Sequence, residues 1–201
     1  MFELEQVTYT VNRKRLLDPI DLCLESGRVI GLVGHNGSGK STLVKLLARQ
    51  TTPTSGSLHF DGQPIASWPS RAFARGVAYL PQYPPTAGHL TGRELVGFGR
   101  YPWHGLLRRF GLGDRQQVEH AMAMTQTTAF ADRRVETLSG GERQRVWLAM
   151  LLAQESDFLL LDEPLSALDI AHQVEMLQLS RRLSHELGLS VVIVLHDINM
   201  A

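Results

Sequence analysis

The sequence predicts an α/β protein with a parallel sheet covered by helices on both faces, an N-terminal antiparallel β portion and an inserted α-helical segment. Three observations carry this. RVIGLVG (Arg28 to Gly34), GVAYLPQ (Gly76 to Gln82), DFLLLDEP (Asp157 to Pro164) and LSVVIVLHD (Leu189 to Asp197) are continuous apolar runs, as strands buried on both faces are. Segments of helical period fall between them, the alternation that builds a parallel sheet. The opening FELEQVTYTV instead alternates apolar and polar residues, the pattern of a half-buried strand.

The elements follow in order. A second alternating run, IDLCL (Ile20 to Leu24), follows the first. After RVIGLVG and a glycine-rich turn, STLVKLLARQ carries Leu43, Leu46 and Leu47 in helical phase, and TTPTSG then breaks the chain. SLHFDGQPI reads as a short strand and a turn at Asp61–Gly62. From Tyr83 the pattern changes: Pro84, Pro85 and Gly88 precede RELVGFGR and DRQQVEHAMAMTQTTAFA, both of helical period. The strand signal returns at Asp157, and IAHQVEMLQLSRRLSHELG is an amphipathic helix closed by Gly188. The expected division is one domain over 1–201, with core residues 1–82 and 138–201 and a helical subdomain at about 83–137. The chain ends at Ala201 with no crossover helix after its last apolar run, so it reads as cut short.

Lys plus Arg and Asp plus Glu each number 20, so no global basic field draws in nucleic acid or an anionic membrane. The single cysteine, Cys23, cannot form an intrachain disulfide, which suits a reducing compartment, and it reads as a structural residue of its strand. No run of roughly 18 apolar residues is present, so nothing is expected to span a bilayer. The N-terminus lacks the charged and apolar regions of a signal peptide.

GHNGSGKS (Gly34 to Ser41) fits G-x-x-x-x-G-K-[ST] and stands between a predicted strand and a predicted helix, the context of a P-loop. The N–H groups around Gly37, Ser38 and Gly39 can cradle phosphate oxygens, and the helix start adds its dipole. Lys40 is placed to reach the β- and γ-phosphates, and Ser41 to offer its hydroxyl to Mg²⁺. At the end of FLLLDE, Asp162 is placed to hold Mg²⁺ through a water, while Glu163 can orient or deprotonate an attacking water. His196 ends VVIVL. It reads either as an ordinary polar terminus or as a contact to the γ-phosphate, since parallel strands place their carboxyl ends on the ligand side.

In TLSGGERQR, Ser139 and Glu142 form a capping box, yet Gly140 and Gly141 occupy the first helical positions. Each glycine there costs roughly 0.5–1 kcal/mol against alanine, so a close approach to this backbone is expected.

GHNGSGKS, Gln82 of YLPQ, LSGGERQR, LLLDEP and His196 occur in the order of an ABC-transporter ATPase subunit, which the chain resembles over essentially its whole length. SALD (Ser166 to Asp169) is similar to that family's D-loop. FARGVAYLPQ, RELVGFGRYPWHG and LDIAHQ resemble the ATPases of the siderophore and vitamin B12 import group, most of all the ferric hydroxamate (ferrichrome-type) subunit.

The resemblance implies binding of ATP and Mg²⁺. It places nucleotide contacts at Gly34, His35, Asn36, Gly37, Ser38, Gly39, Lys40, Ser41 and Thr42, and catalytic roles at Gln82, Glu163 and His196. It puts Mg²⁺ at Ser41, Gln82 and Asp162. It also implies a head-to-tail homodimer in which Leu138, Ser139, Gly140, Gly141 and Glu142 cover the ATP of the other chain. The pair would sit peripherally on the cytoplasmic face of a bacterial inner membrane. It would drive an integral-membrane permease and, indirectly, serve a substrate-binding protein, with no nucleic-acid partner.

Trp103, in RYPWHG, reads either as buried in the subdomain or as an exposed aromatic near the permease. Tyr9 stands nearest the place where the family stacks adenine, which falls near Val11. Other cargoes of the group (vitamin B12, haem, a catecholate siderophore) remain alternatives. A soluble ABC ATPase is disfavoured by the absence of a second cassette, and an exporter half by the absence of membrane spans.

Overall fold

The computed structural model describes residues 1–104, 109–166 and 168–195. Two sheets organise them. The first is antiparallel, in the order β2-β1-β4-β5, from β1 (Phe2–Val11), β2 (Lys14–Leu24), β4 (Ser55–Phe60) and β5 (Gln63–Pro64). Asn12 and Arg13, both at positive φ, form the two-residue hairpin turn between β1 and β2, a twist that suits paired strands. The second sheet is parallel, in the order β3-β8-β7-β6, from β3 (Val29–Leu32), β6 (Val77–Leu80), β7 (Phe158–Leu161) and β8 (Ser190–Val194).

The parallel sheet is buried on both faces, which explains its apolar runs. Along β7, Phe158 and Leu160 point into one core while Leu159 and Leu161 point into the other; along β8, Val192 and Val194 alternate with Val191 and Ile193 in the same way. The first core contains α1 (Lys40–Leu47) and the antiparallel sheet, with Phe2, Phe60 and Phe158 packed ring to ring. The second contains α5 (Gly140–Ala153), α6 (Ile170–Leu187) and buried residues of α3 (Gly92–Gly97) and α4 (Leu112–Met124). RVIGLVG departs from expectation. Its strand β3 lies at a sheet edge among the described residues, and Val29 and Val33 are exposed. Cys23 is exposed as well, as its place in the polar phase of β2 requires.

Among the described residues between β6 and α5 the regular elements are helical: α3, α4, a six-residue 3₁₀ helix at Phe98–Trp103 and single 3₁₀ turns at Thr128–Phe130 and Val135–Thr137. Arg100 pins this segment to the core. Its guanidinium, almost wholly buried, lies 3.2 Å from Asp114 and donates to Ala153 O and Glu155. Trp103 is clamped rather than displayed, with its indole N–H donating to Gln154 O at 2.7 Å and Arg75 and Arg100 over its ring. The exposed aromatics nearby are Phe98, Tyr101 and Phe110. A short helix, α2 (Ser70–Gly76), has no counterpart in the sequence reading.

Candidate phosphate site and signature turn

All four parallel strands end on one side, so the segments that follow them converge. At these ends Leu32 pairs with Val194, Ile193 with Leu161 and Leu161 with Leu80. Beyond them come the loop to α1, Gln82 and the Asp162–Glu163 pair. His196 lies outside the described residues. The convergence forms an open cleft of about 710 Å³ lined by Asn36 to Thr42, Gln82, Glu163, Ser166 and Gln173. Leu16 completes its wall, a residue the sequence reading passed over because it lies mid-strand in β2 with no motif around it.

The glycine loop is shaped by backbone conformation. Gly37 and Gly39 stand at φ 81° and 91°, where side chains are disfavoured. A Cβ on Gly39 would also lie 2.8 Å from Leu16 O. Gly39 is the N-cap of α1 and offers no side-chain cap, so the first N–H groups of the helix are available to an anion. Lys40 Nζ donates to the carbonyls of Gly34 (2.6 Å) and His35 (3.0 Å) across the same loop, which holds the ammonium at its mouth.

Asp162 is 1% exposed. Burial pushes its carboxyl above the ordinary 3.8, opposed by a hydrogen bond from Ser41 and the charge of Lys45. Burial and Asp162 together push Tyr79 up to about 12. The Oδ1 atom of Asp162 is buried without a hydrogen-bond partner. A buried, unsatisfied carboxylate oxygen joined to a serine hydroxyl is the hard oxygen donor set that Mg²⁺ takes, so Ser41 and Asp162 fit the ion. Glu163 is held at φ 52°, a strained conformation for a non-glycine residue. Gln82 Nε2 donates to Glu163 Oε2.

The turn before α5 is built differently. Ser139 Oγ accepts from Glu142 N at 3.3 Å and Glu142 accepts from Ser139 N at 2.8 Å, a complete capping box. Leu138 anchors the turn at 5% exposure, and Arg133 pairs with Glu142. Gly140 lines a second cleft, of about 420 Å³, whose wall includes Gln82, Tyr83 and Glu163. No residue from Leu138 to Glu142 lines the cleft of the glycine loop. Tyr9 is partly buried against the first core, and its hydroxyl accepts from Thr51 at 2.8 Å.

Residues 17–166 match a family described as ABC transporter. The chain is 42% identical over 196 residues to the achromobactin transport ATP-binding protein of Dickeya dadantii, covering 98% of this chain and 73% of that one. It is 39% identical over 197 residues to the iron(3+)-hydroxamate import ATP-binding protein of Bacillus subtilis, covering 98% and 73%. Among solved structures it is similar to the ATP-binding cassette MJ0796 in a dimeric post-hydrolysis state with ADP and Pi, at TM-score 0.85 and 28% identity, covering 100% of this chain and 90% of that one.

Proposed function

This chain belongs to the ABC transporter family as an ATP-hydrolysing subunit, and on that premise we propose that it powers import of iron siderophores through a membrane permease, with ferric hydroxamates as its cargo. The cargo is suggested by the likeness to the iron(3+)-hydroxamate import ATP-binding protein, and the observation that carries the ATP-driven mechanism is the shared wall: Gln82 and Glu163 line both the glycine-loop cleft and the cleft beside Gly140. A residue pair so placed is open to a phosphate bound on one side and to a partner surface on the other.

Two such chains pair head to tail, so that the α5 turn of each covers the ATP held by the other. The separation of the two clefts within one chain supports this, as does the dimeric state of the similar cassette. The chain's own residues divide the work. Asn36 to Thr42, with Gly34 and His35, bind the phosphates, and Ser41, Gln82 and Asp162 would hold Mg²⁺. The ion, when bound, neutralises charge on the β- and γ-oxygens. Glu163 orients the attacking water and takes its proton, and His196 contacts the γ-phosphate. The signature residues Leu138 to Glu142 present the N–H groups left over by the capping box to that phosphate, where the positive end of the helix dipole favours an anion. ATP favours the closed pair only because it binds that state more tightly.

The core (1–82 and 138–201) and the helical subdomain (about 83–137) move relative to each other, joined at Gln82. The exposed Phe98, Tyr101 and Phe110 suit a permease contact, since aromatics are enriched in such interfaces. No helix among the described residues is long and apolar enough to cross a membrane. The likeness to import ATP-binding proteins supports a pair that sits peripherally, on the cytoplasmic face of the membrane, with a substrate-binding protein delivering cargo on the other side.

Cargo is tested by growth with a ferric hydroxamate as sole iron source. Loss of growth on deleting the gene, restored by the parent gene and not by Lys40→Ala, is expected. Undiminished growth of the deletion strain on hydroxamates, with failure on another siderophore or on haem, reassigns the cargo within the group.

A further inference from the structure

An open cavity of about 390 Å³ lies between α5 and α6, lined by Gly141 and Arg145 from one helix and His172, Glu175, Met176 and Leu179 from the other. The helices are bridged across it at two levels, one helical turn apart. At the deeper level into α5, Arg145 Nη1 lies 3.8 Å from Glu175 Oε2. At the first turn of both helices the bridge is steric: a Cβ built on Gly141 would lie 2.9 Å from His172 Cδ2, 3.4 Å from its Cγ and 3.5 Å from its Nε2.

That ring cannot swing aside freely. Asp169, the N-cap of α6, accepts from the backbone N–H of His172 at 2.9 Å, and the same oxygen lies 2.8 Å from His172 Nδ1. Backbone and ring are thus tied to one carboxylate, which fixes the ring's orientation as second groups fix catalytic histidines. A methyl group at position 141 would have to break the ring from Asp169 or push the first turn of α5 away.

We infer that His172, oriented by Asp169, is a positioning residue for the signature turn: its ring seats Gly141 and so sets where the N–H groups at the start of α5 point. The inference rests on the reading that this turn contacts a phosphate held by the second chain. It gives Gly141 a reason inside its own chain, separate from the approach of that phosphate.

The test is a double-mutant cycle in the full chain, using steady-state ATP turnover together with nucleotide binding by isolated chains. His172→Ala alone is expected to lower kcat roughly tenfold, within the range of coupled neighbours, while leaving binding at the glycine loop unchanged. Gly141→Ala is expected to lower kcat further. In the double variant the methyl group meets the space left by the imidazole. Its kcat is therefore expected to exceed the product of the two single effects by more than roughly threefold, beyond the scatter of independent sites. A double variant within threefold of that product overturns the inference. Nucleotide binding by the isolated Gly141→Ala chain, expected to match the parent, excludes misfolding as the source of its loss of turnover. The in-trans reading fails separately: it falls if Ser139→Arg depresses nucleotide binding by isolated chains as much as it depresses turnover.

Discussion

The chain contains two glycine-rich helix starts that solve opposite problems. At α1 the glycines are conformational. Gly37 and Gly39 adopt positive φ, no side chain caps the helix, and the available N–H groups await a ligand. At α5 the turn satisfies itself. Ser139 and Glu142 close a capping box, Arg133 steadies the glutamate, and Gly141 lies inside the helix against His172. The first start is incomplete without phosphate, whereas the second is a finished structural element with its first N–H groups left over. On the proposed reading, a loop of the first kind binds nucleotide on its own. A turn of the second kind adds to a site built elsewhere, and it can do so without folding around the ligand.

The largest expected effects probe the wall between the two. Glu163→Gln should lower turnover by roughly 10²–10⁴-fold, the range of general acid–base residues, while both helix starts keep their contacts. ATP should then hold the pair closed, visible as a dimer in size-exclusion chromatography; near-normal steady-state ATPase would remove Glu163 from that role. Lys40→Ala deletes a charge-assisted contact worth about 1.5–3 kcal/mol, so nucleotide affinity of the isolated chain should fall roughly 10–100-fold. Ser139→Arg should do the reverse, blocking turnover and sparing isolated-chain binding. If the two variants lost binding equally, the contrast between the helix starts would collapse.

The parts of this contrast that were legible in the sequence are the local ones. The capping box follows from Ser139 and Glu142 three residues apart, and the glycine loop from its spacing between strand and helix. The parallel strands were legible because burial on both faces leaves no polar residue in FLLL or VVIV. What escaped depended on distant contacts. Leu16 walls the cleft only because β2 passes behind Gly39. Trp103 is held by Gln154, Arg75 and Arg100, far along the chain. Val29 is exposed because β3 is an edge strand among the described residues, a matter of sheet order that no single run displays. The clash of Gly141 with His172 joins two helices whose proximity no pattern in either announces.

The smallest effects are on stability, and here the two helix starts should respond to pH with opposite sign. Burial raises Asp162 above its ordinary 3.8. The folded state then holds a proton that the unfolded state releases, so stability falls as pH rises through the raised value. Above that raised value the nucleotide-free chain bears the full penalty. Asp162→Asn keeps one oxygen able to accept from Ser41 or Tyr79 and removes the charge. It should stabilise the chain by about 1 kcal/mol at pH 7.5, as stabilising changes at functional sites do, with a gain that shrinks as the pH falls toward 3.8 and with loss of Mg²⁺-dependent turnover. Glu142 is lowered from its ordinary 4.5, chiefly by the N–H of Ser139. Its contribution is therefore present above that value and lost as pH falls through the lowered one. Glu142→Gln, which preserves a capping box without the charge, should destabilise the chain at pH 7.5 and approach the parent in acid. Urea unfolding of both variants at pH 7.5 and in mild acid checks the pair. Shifts of the same sign at neutral pH would mean that the carboxylate at α1 is satisfied within the chain, as the one at α5 is, and that the first helix start is not waiting for a ligand.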